Sequence, residues 1–355
     1  MSKRVMAIQD KFQEWIKRPP TDAVGVDCAS NGTRVVRMRK SPAGLSLTGA
    51  AILPPVPIHD VMNARDGPFP EGIEALSIPP RVRGRYAALL APGASHAVVK
   101  ILRVPESFNV SDRTKIMARL GFATAEGYRV GTRVIQPATA RTEAHVLVAA
   151  LPDRLAEALL ELLPNAGLPA PRSIEISELA VINAFCNDAR MAEQQAEPHG
   201  LIHFDHDFSL VALFNRGQLS QLRTFPFGLA AVLGKITKAL NVDEQTATGV
   251  LMDGAFDISH LIEDDAREVR SQYMVCRDFM ERSENCELKK LHMSGPAALT
   301  RTFLAGSPMA EVQDQWDALH GFTEQNGGAL SDDAATEPWR FSAAVGACIG
   351  ILETP

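Results

Sequence analysis

A chain of 355 residues is too long for one hydrophobic core and implies at least two. Its 46% hydrophobic and 22% charged content is ordinary for a globular protein and excludes a disordered or fibrous class. A formal net charge of −6 without a long basic run excludes nucleic acid as the main partner, since phosphate binding needs clustered Lys and Arg.

Residues 1–20 open the chain with Val5, Ile8, Phe12, Trp15 and Ile16 at steps of three and four, an amphipathic helix stopped by Pro19-Pro20. Its polar face holds Lys3, Arg4, Lys11, Lys17 and Arg18 against Asp10 and Glu14. Such a helix either docks on a membrane or partner, or packs on its own domain. No continuous apolar stretch of a signal peptide is visible there.

Ala23 to Asp27 then reads as a strand, Ala29-Ser30-Asn31-Gly32 as a tight turn, and Thr33 to Met38 as a second strand. The seven prolines Pro54, Pro55, Pro57, Pro68, Pro70, Pro79 and Pro80 argue against long regular elements over 41–80. Tyr86 to Leu90 and Ala97 to Val104 read as a strand pair about Pro92-Gly93. Ser111 to Leu120 reads as a helix with Ser111 as its cap. Strands follow at Arg133 to Gln136 and His145 to Ala150, then a helix from Asp153 to Leu163 with Leu155, Leu159, Leu162 and Leu163 on one face. Ile174 to Ile176 is a strand and Glu178 to Phe185 a helix. The polar stretch from Asn187 to Pro198 is an expected boundary between halves.

Leu201 to Phe204, Leu210 to Phe214 and Gln218 to Phe227 read as strands, with a hairpin at Asn215-Arg216-Gly217. Helices are expected over Phe227 to Ala239, Asp243 to Leu251 and Ala266 to Glu284, a strand over Lys290 to Met293, and a helix or loop from Arg301. Residues 323–337 read as loop. Trp339 to Leu352 reads as an apolar helix whose small residues permit close packing. Its ten-residue apolar run, Ala343 to Leu352, is too short to span a bilayer. The hairpin near the start and the one near Gly217 suggest two related halves. The five cysteines, scattered and odd in number, suggest neither a zinc site nor a disulfide framework and fit a reducing compartment.

Several stretches together resemble one family. VGVDCASNGTRVVRM is similar to a first phosphate motif, and LPDRLAEALLELLPNAGLPAPRSIEISELAVINAF is similar to a helix, Ala-Gly-Leu turn, strand and connecting helix. FNRGQLSQLRTFPFG, ALNVDEQTATGVLMDG and LHMSGPAALTRTF are similar to the hairpin, helix pair and adenosine turn that follow. The family is PilM, the actin-like proteins of type IV pilus assembly, with a more distant likeness to FtsA. The resemblance covers nearly the whole chain.

It implies an α/β, actin-like (ribonuclease H-like) fold of two halves with a small extra subdomain. On that pattern, residues 21–105 and 166–197 form the first half, 106–165 the inserted subdomain and 198–355 the second half, with 236–289 its smaller helical part. It also implies a cytoplasmic scaffold at the inner face of the membrane, among the proteins of the pilus platform. Its partner would be the tail of a PilN-like inner-membrane protein, held in a groove near the extra subdomain. Lys100, Arg103, Lys115 and Arg119 make that region locally basic and are the expected partner-binding residues.

For the cleft the resemblance implies ATP and magnesium, held by Asp27, Ser30, Asn31, Gly32, Asp205, Ser294 and Gly295. Phosphate turns need small residues, so that backbone N–H groups can approach the oxygens. Ala29 replaces the usual Gly. In the second turn His203 falls where the family has Asp, and Asp205, His206, Asp207 and Phe208 would crowd a phosphate with bulk and negative charge. A slip of one residue would instead make Asp205 the acidic position. Thr248 and Leu251 stand where the family has Glu and Lys, and Pro296 removes a backbone donor. A pseudo-ATPase without cofactor is therefore expected. Other readings are an active ATPase or kinase-superfold enzyme and an FtsA-like filament former anchored by residues 3–18. His203, Asp205, His206 and Asp207 are competent metal ligands, but alternation separates 206 from the rest, and a solvated turn is expected instead.

Overall fold

The computed structural model describes residues 19–56, 58, 75–94, 96–139, 142–163, 169–192, 196–253, 257, 259–305, 312–320 and 335–353. The N-terminal amphipathic stretch and most of 323–337 lie outside these.

The first half starts with β1 (Asp22–Ala29), β2 (Gly32–Ser41), β3 (Gly44–Leu53) and β4 (Tyr86–Ala91). A small unit follows, from β5 (Val98–Val104), α1 (Arg113–Leu120), β6 (Tyr128–Gln136) and β7 (Ala144–Pro152). The chain then returns through α2 (Asp153–Glu161), β8 (Ala170–Ile176), α3 (Ser177–Cys186) and the short α4 (Ala189–Ala192). The second half runs β9 (His199–Phe204), β10 (Ser209–Asn215), β11 (Gln218–Phe225), α5 (Leu229–Leu240), α6 (Glu244–Asp253) and α7 (Ser259–Glu284). It closes with β12 (Lys290–Ser294), α8 (Ala297–Ala305), β13 (Val312–Gln315) and α9 (Ser342–Glu353).

Strand order is β3-β2-β1-β4-β8 in the first sheet and β11-β10-β9-β12-β13 in the second. In both, the first three strands form an antiparallel meander and the last two join in parallel. The chain has thus built one sheet topology twice, which is the actin-like duplication. The register matches the β1–β2 turn with the β9–β10 turn residue by residue. Ala29 closes on Gly32, while the Asp205 amide donates to Phe208 O at 2.8 Å. Asp27 and His203 are each the last residue in parallel register with the neighbouring strand. His203 is therefore the topological counterpart of Asp27, and Asp205 that of Ala29.

The hairpin at Gly217 forms because Arg216 and Gly217 both take positive φ, 52° and 72°, the twist a two-residue turn between strands needs. Between the sheets lies α9. Apolar all round, it is buried against α3 and β1. The crossing with α3 is close enough that a Cβ at Gly346 would overlap the Ala180 carbonyl oxygen. One apolar core joins both halves here, from Val36 and Leu90 through Phe185 to Leu210, Phe214 and Trp316. Helices α5 and α7 cover the outer face of the second sheet and share its core, with Ile236, Val269 and Tyr273 packed on Ile202 and Leu291.

Several expectations need correction. The proline-rich region contains the ten-residue β3, because between Pro42 and Pro54 it holds no proline. β4 and β5 do not pair: β5 joins β7 and β6 in a three-stranded sheet of order β5-β7-β6. The small unit therefore starts before residue 106. Its expected C-terminal helix, α2, instead packs Leu155 and Leu159 into the first-half core with Val24, Val26 and Leu89. The cap of α1 is Asp112, whose carboxylate accepts the Lys115 amide at 3.1 Å, not Ser111. Helix α7 begins at Ser259 and α8 at Ala297, earlier than the apolar periodicity signals. Among the described residues no helix is long and apolar enough to cross a membrane, and none of the five cysteines forms a disulfide.

Candidate functional site

Two places in this fold gather chemistry: the cleft between the halves and a groove beside the small sheet. In the cleft, the hairpin that closes Ala29 on Gly32 sets Asp27 directly across from Arg34. Arg34 is 1% exposed. Its Nη1 donates to Asp27 Oδ2 at 3.2 Å and, across the interface, to Asp205 Oδ1 at 2.8 Å, while Nη2 reaches Asn31 Oδ1 at 3.3 Å. Asp27 also accepts Ser177 Oγ from the start of α3 at 3.0 Å. On the far side, His203 bridges Asp205 Oδ2 at 3.2 Å and Ser294 Oγ at 3.0 Å. The next link runs the other way. The carboxylate of Asp207 accepts the Ser30 amide at 2.8 Å and also its hydroxyl.

The electrostatics follow from this sharing. Burial would raise both carboxyls. The closer guanidinium contact and the His203 and His206 hydrogen bonds overcome it at Asp205 and hold that carboxyl well below the usual range. At Asp27 burial wins over Arg34, Asp205 adds repulsion, and the carboxyl is pushed up to about 6. Burial also lowers the His206 imidazole to about 4. The stretch from His203 to His206 is thus buried, not the solvated turn expected. Among the described residues, no group of three His, Cys, Asp or Glu could hold a metal ion. The N-terminus of α5 is also engaged: the amides of Leu229 and Ala230 donate to Asp205 O and His206 O at 2.9 and 2.8 Å. This contact explains the glycine of the Pro-Phe-Gly stretch, since a Cβ at Gly228 would stand 2.7 Å from Asp205 O.

Of the residues expected to hold nucleotide, Asp27, Asn31 and Asp205 converge on Arg34, Ser30 is tied to Asp207, and Ser294 joins through His203. Gly32 closes the turn. Gly295 stands apart, lining a cavity of about 440 Å³ with Leu251, Arg301, Trp316 and Trp339. Sequence reasoning missed Arg34, although a hairpin closing at Ala29 and Gly32 already places it opposite Asp27.

The groove is larger, about 1200 Å³. Its walls include β6 and β8, each the last strand of its sheet, with α3, α9 and the hairpin end at Gly217 to Leu219. Leu147, Ile174, Leu179, Ile182 and Leu219 make it apolar; Arg129, Arg133, Arg172, Glu175 and Glu353 add charge. None of the four expected partner-binding residues lines it. Lys100 and Arg103 lie on β5, at the other edge of the small sheet, with Arg103 4.8 Å above the Phe279 ring. Lys115 pairs with Asp112 at 3.4 Å, and Arg119 sits 5.9 Å above the Phe108 ring.

No family model and no curated relative matches the sequence. Among solved structures, a chain of a PilM-PilN type IV pilus biogenesis complex is similar over 95% of this chain and 100% of its own, at TM-score 0.66 and 14% identity. The ethanolamine utilization protein EutJ from Carboxydothermus hydrogenoformans aligns over 94% of this chain and 90% of its own, at TM-score 0.43 and 10% identity. A Bacteroides thetaiotaomicron protein with an actin-like ATPase fold aligns over 90% and 96%, at TM-score 0.40 and 10% identity. The duplicated topology and the end-to-end match with the pilus-complex chain make this an actin-like fold with a small additional sheet inserted in its first half.

Proposed function

We propose that the chain is a PilM-like scaffold of a type IV pilus platform, cytoplasmic and set against the inner membrane. Its groove holds the tail of a PilN-like single-pass membrane protein, while its cleft does no ATP chemistry. The observation that carries this reading is the contrast between the two places. The groove offers the edges of β6 and β8, with which no further described strand pairs, around an apolar floor, which suits an extended peptide adding as a strand. The similar pilus-complex chain supplies the kind of partner.

The cleft is filled by the protein itself, and magnesium with ATP does not fit the residues as they stand. The carboxylates that would share a magnesium shell, Asp27 and Asp205, share the Arg34 guanidinium instead. The Ser30 amide that would meet a phosphate oxygen meets the Asp207 carboxylate. The α5 amides that would face an anion are spent on the turn's own carbonyls. An incoming triphosphate would meet Asp205 and Asp207, a like-charge contact in a cleft.

The test is calorimetric titration with the cytoplasmic tail peptide of a PilN-like single-pass membrane protein from the same organism. Wild type should bind with micromolar Kd, about −8 kcal/mol, after the ordering cost of a flexible tail. Val134→Asp, which puts a charge on the exposed part of the β6 wall, should bind at least tenfold more weakly. Absence of binding to wild type, or hydrolysis of ATP above background, would contradict the reading.

A further inference from the structure

Glu175 lies on β8, and its side chain belongs to the groove lining. Strand alternation sends Ser173 and Glu175 to the side of the sheet where α9 and α3 pack. Helix α9 comes close there: a Cβ at Gly350 would stand 2.9 Å from Glu175 Oε1 and 3.1 Å from Oε2. Ser173 Oγ donates to Oε1 at 3.0 Å. No ion pair reaches this carboxylate among the described residues, and burial pushes it up to about 7.

The charges around it are otherwise employed. Glu353 of α9 pairs with Lys40 at 3.0 Å, and Arg129 of β6 pairs with Asp153 at 3.2 Å. Arg172 sits 5.5 Å above the Tyr86 ring, and Arg133, on the opposite wall, acts on Cys186. A buried carboxylate without a cation is costly, and a peptide sealing the groove would strip its remaining water. At that raised value the carboxyl carries its proton about half of the time at neutral pH, and a cation brought by a docked strand would take the place of that proton.

We propose that Glu175 selects the docked tail by pairing with an Arg or Lys on it, flanked by apolar residues two positions to either side. A strand added along β8 presents every second side chain to the same face. The cation meets Glu175, and its alternate neighbours meet Leu179 and Ile182. This rests on the groove being the docking site, as proposed above.

The test is selection of phage-displayed octapeptides on the full protein, wild type and Glu175→Gln, with peptides bound by Val134→Asp discarded. Wild type should enrich one basic residue at a fixed place in an alternating apolar pattern. Glu175→Gln, folded to the same melting temperature, should enrich the apolar pattern without it and bind the basic peptides about tenfold more weakly. Identical patterns on both proteins would overturn the selector role while leaving the groove in place. Failure of wild type to enrich any peptide sensitive to Val134→Asp would overturn the docking site and this proposal with it.

Discussion

Arg34 shows what one side chain must do when two buried carboxylates face each other. It neutralises Asp27 from its own half and Asp205 from the other. Removing one member of such a set leaves uncompensated charge in the interior, at a cost of about 3–5 kcal/mol. Arg34→Ala should lose that much in urea unfolding at neutral pH, and Asp205→Asn on that background should return part of it. A loss below about 1 kcal/mol would mean that the cluster is not what ties the halves. The pH dependence has a definite sign. Asp27 titrates at about 6 when folded, above the ordinary 3.8. Its contribution to stability is therefore complete below pH 4 and is lost as pH rises through 6. Relative to wild type, Asp27→Asn should lose a stability decline of order 1 kcal/mol per pH unit across that window, read as the melting difference between pH 4.5 and 6.5. Asp205, held low, has the opposite sign, and its contribution fails only on strong acidification. The carboxylates were legible in the sequence as a degenerate turn. Their burial was not, because His203 to Asp207 looks polar and turn-like in one dimension and only the facing half covers it.

At the scale of elements, helices and strands with strong periodicity could be read from sequence, and their partners could not. The apolar, β-branched run over Val98 to Val104 declares a strand but does not say whether β4 or β7 receives it; the structure gives it to β7, in a separate sheet. A run of prolines suppressed the expectation of β3, although its residues up to Leu53 contain none after Pro42. The small residues of α9 did announce close packing. That packing separates two glycines with opposite consequences. Gly346→Ala must push α9 off α3 and should destabilise by about 1–3 kcal/mol or more. Gly234, within α5, has nothing near where a Cβ would go, so Gly234→Ala should stabilise by about 0.5–1 kcal/mol. Thermal unfolding of both variants checks the pair, and equal effects would put the α9–α3 contact in the wrong place.

For the molecule as a whole, the cleft and the groove differ in what they contain, and the proposed function gives them different work. The cleft between the halves contains the Arg34 cluster with Asp27 and Asp205 and the contact of Ser30 with Asp207, both of which cross from one half to the other. The groove presents an apolar floor and the edges of β6 and β8, with which no further described strand pairs. Amide hydrogen exchange reads both places in one measurement, with the cytoplasmic tail peptide of a PilN-like membrane protein from the same organism added in one sample and millimolar magnesium-ATP in another. The peptide should slow exchange along β6 and β8, and magnesium-ATP should leave the turns at 29–32 and 205–208 unchanged. Protection of those turns by magnesium-ATP, or peptide protection confined to elements away from β6 and β8, would contradict the account.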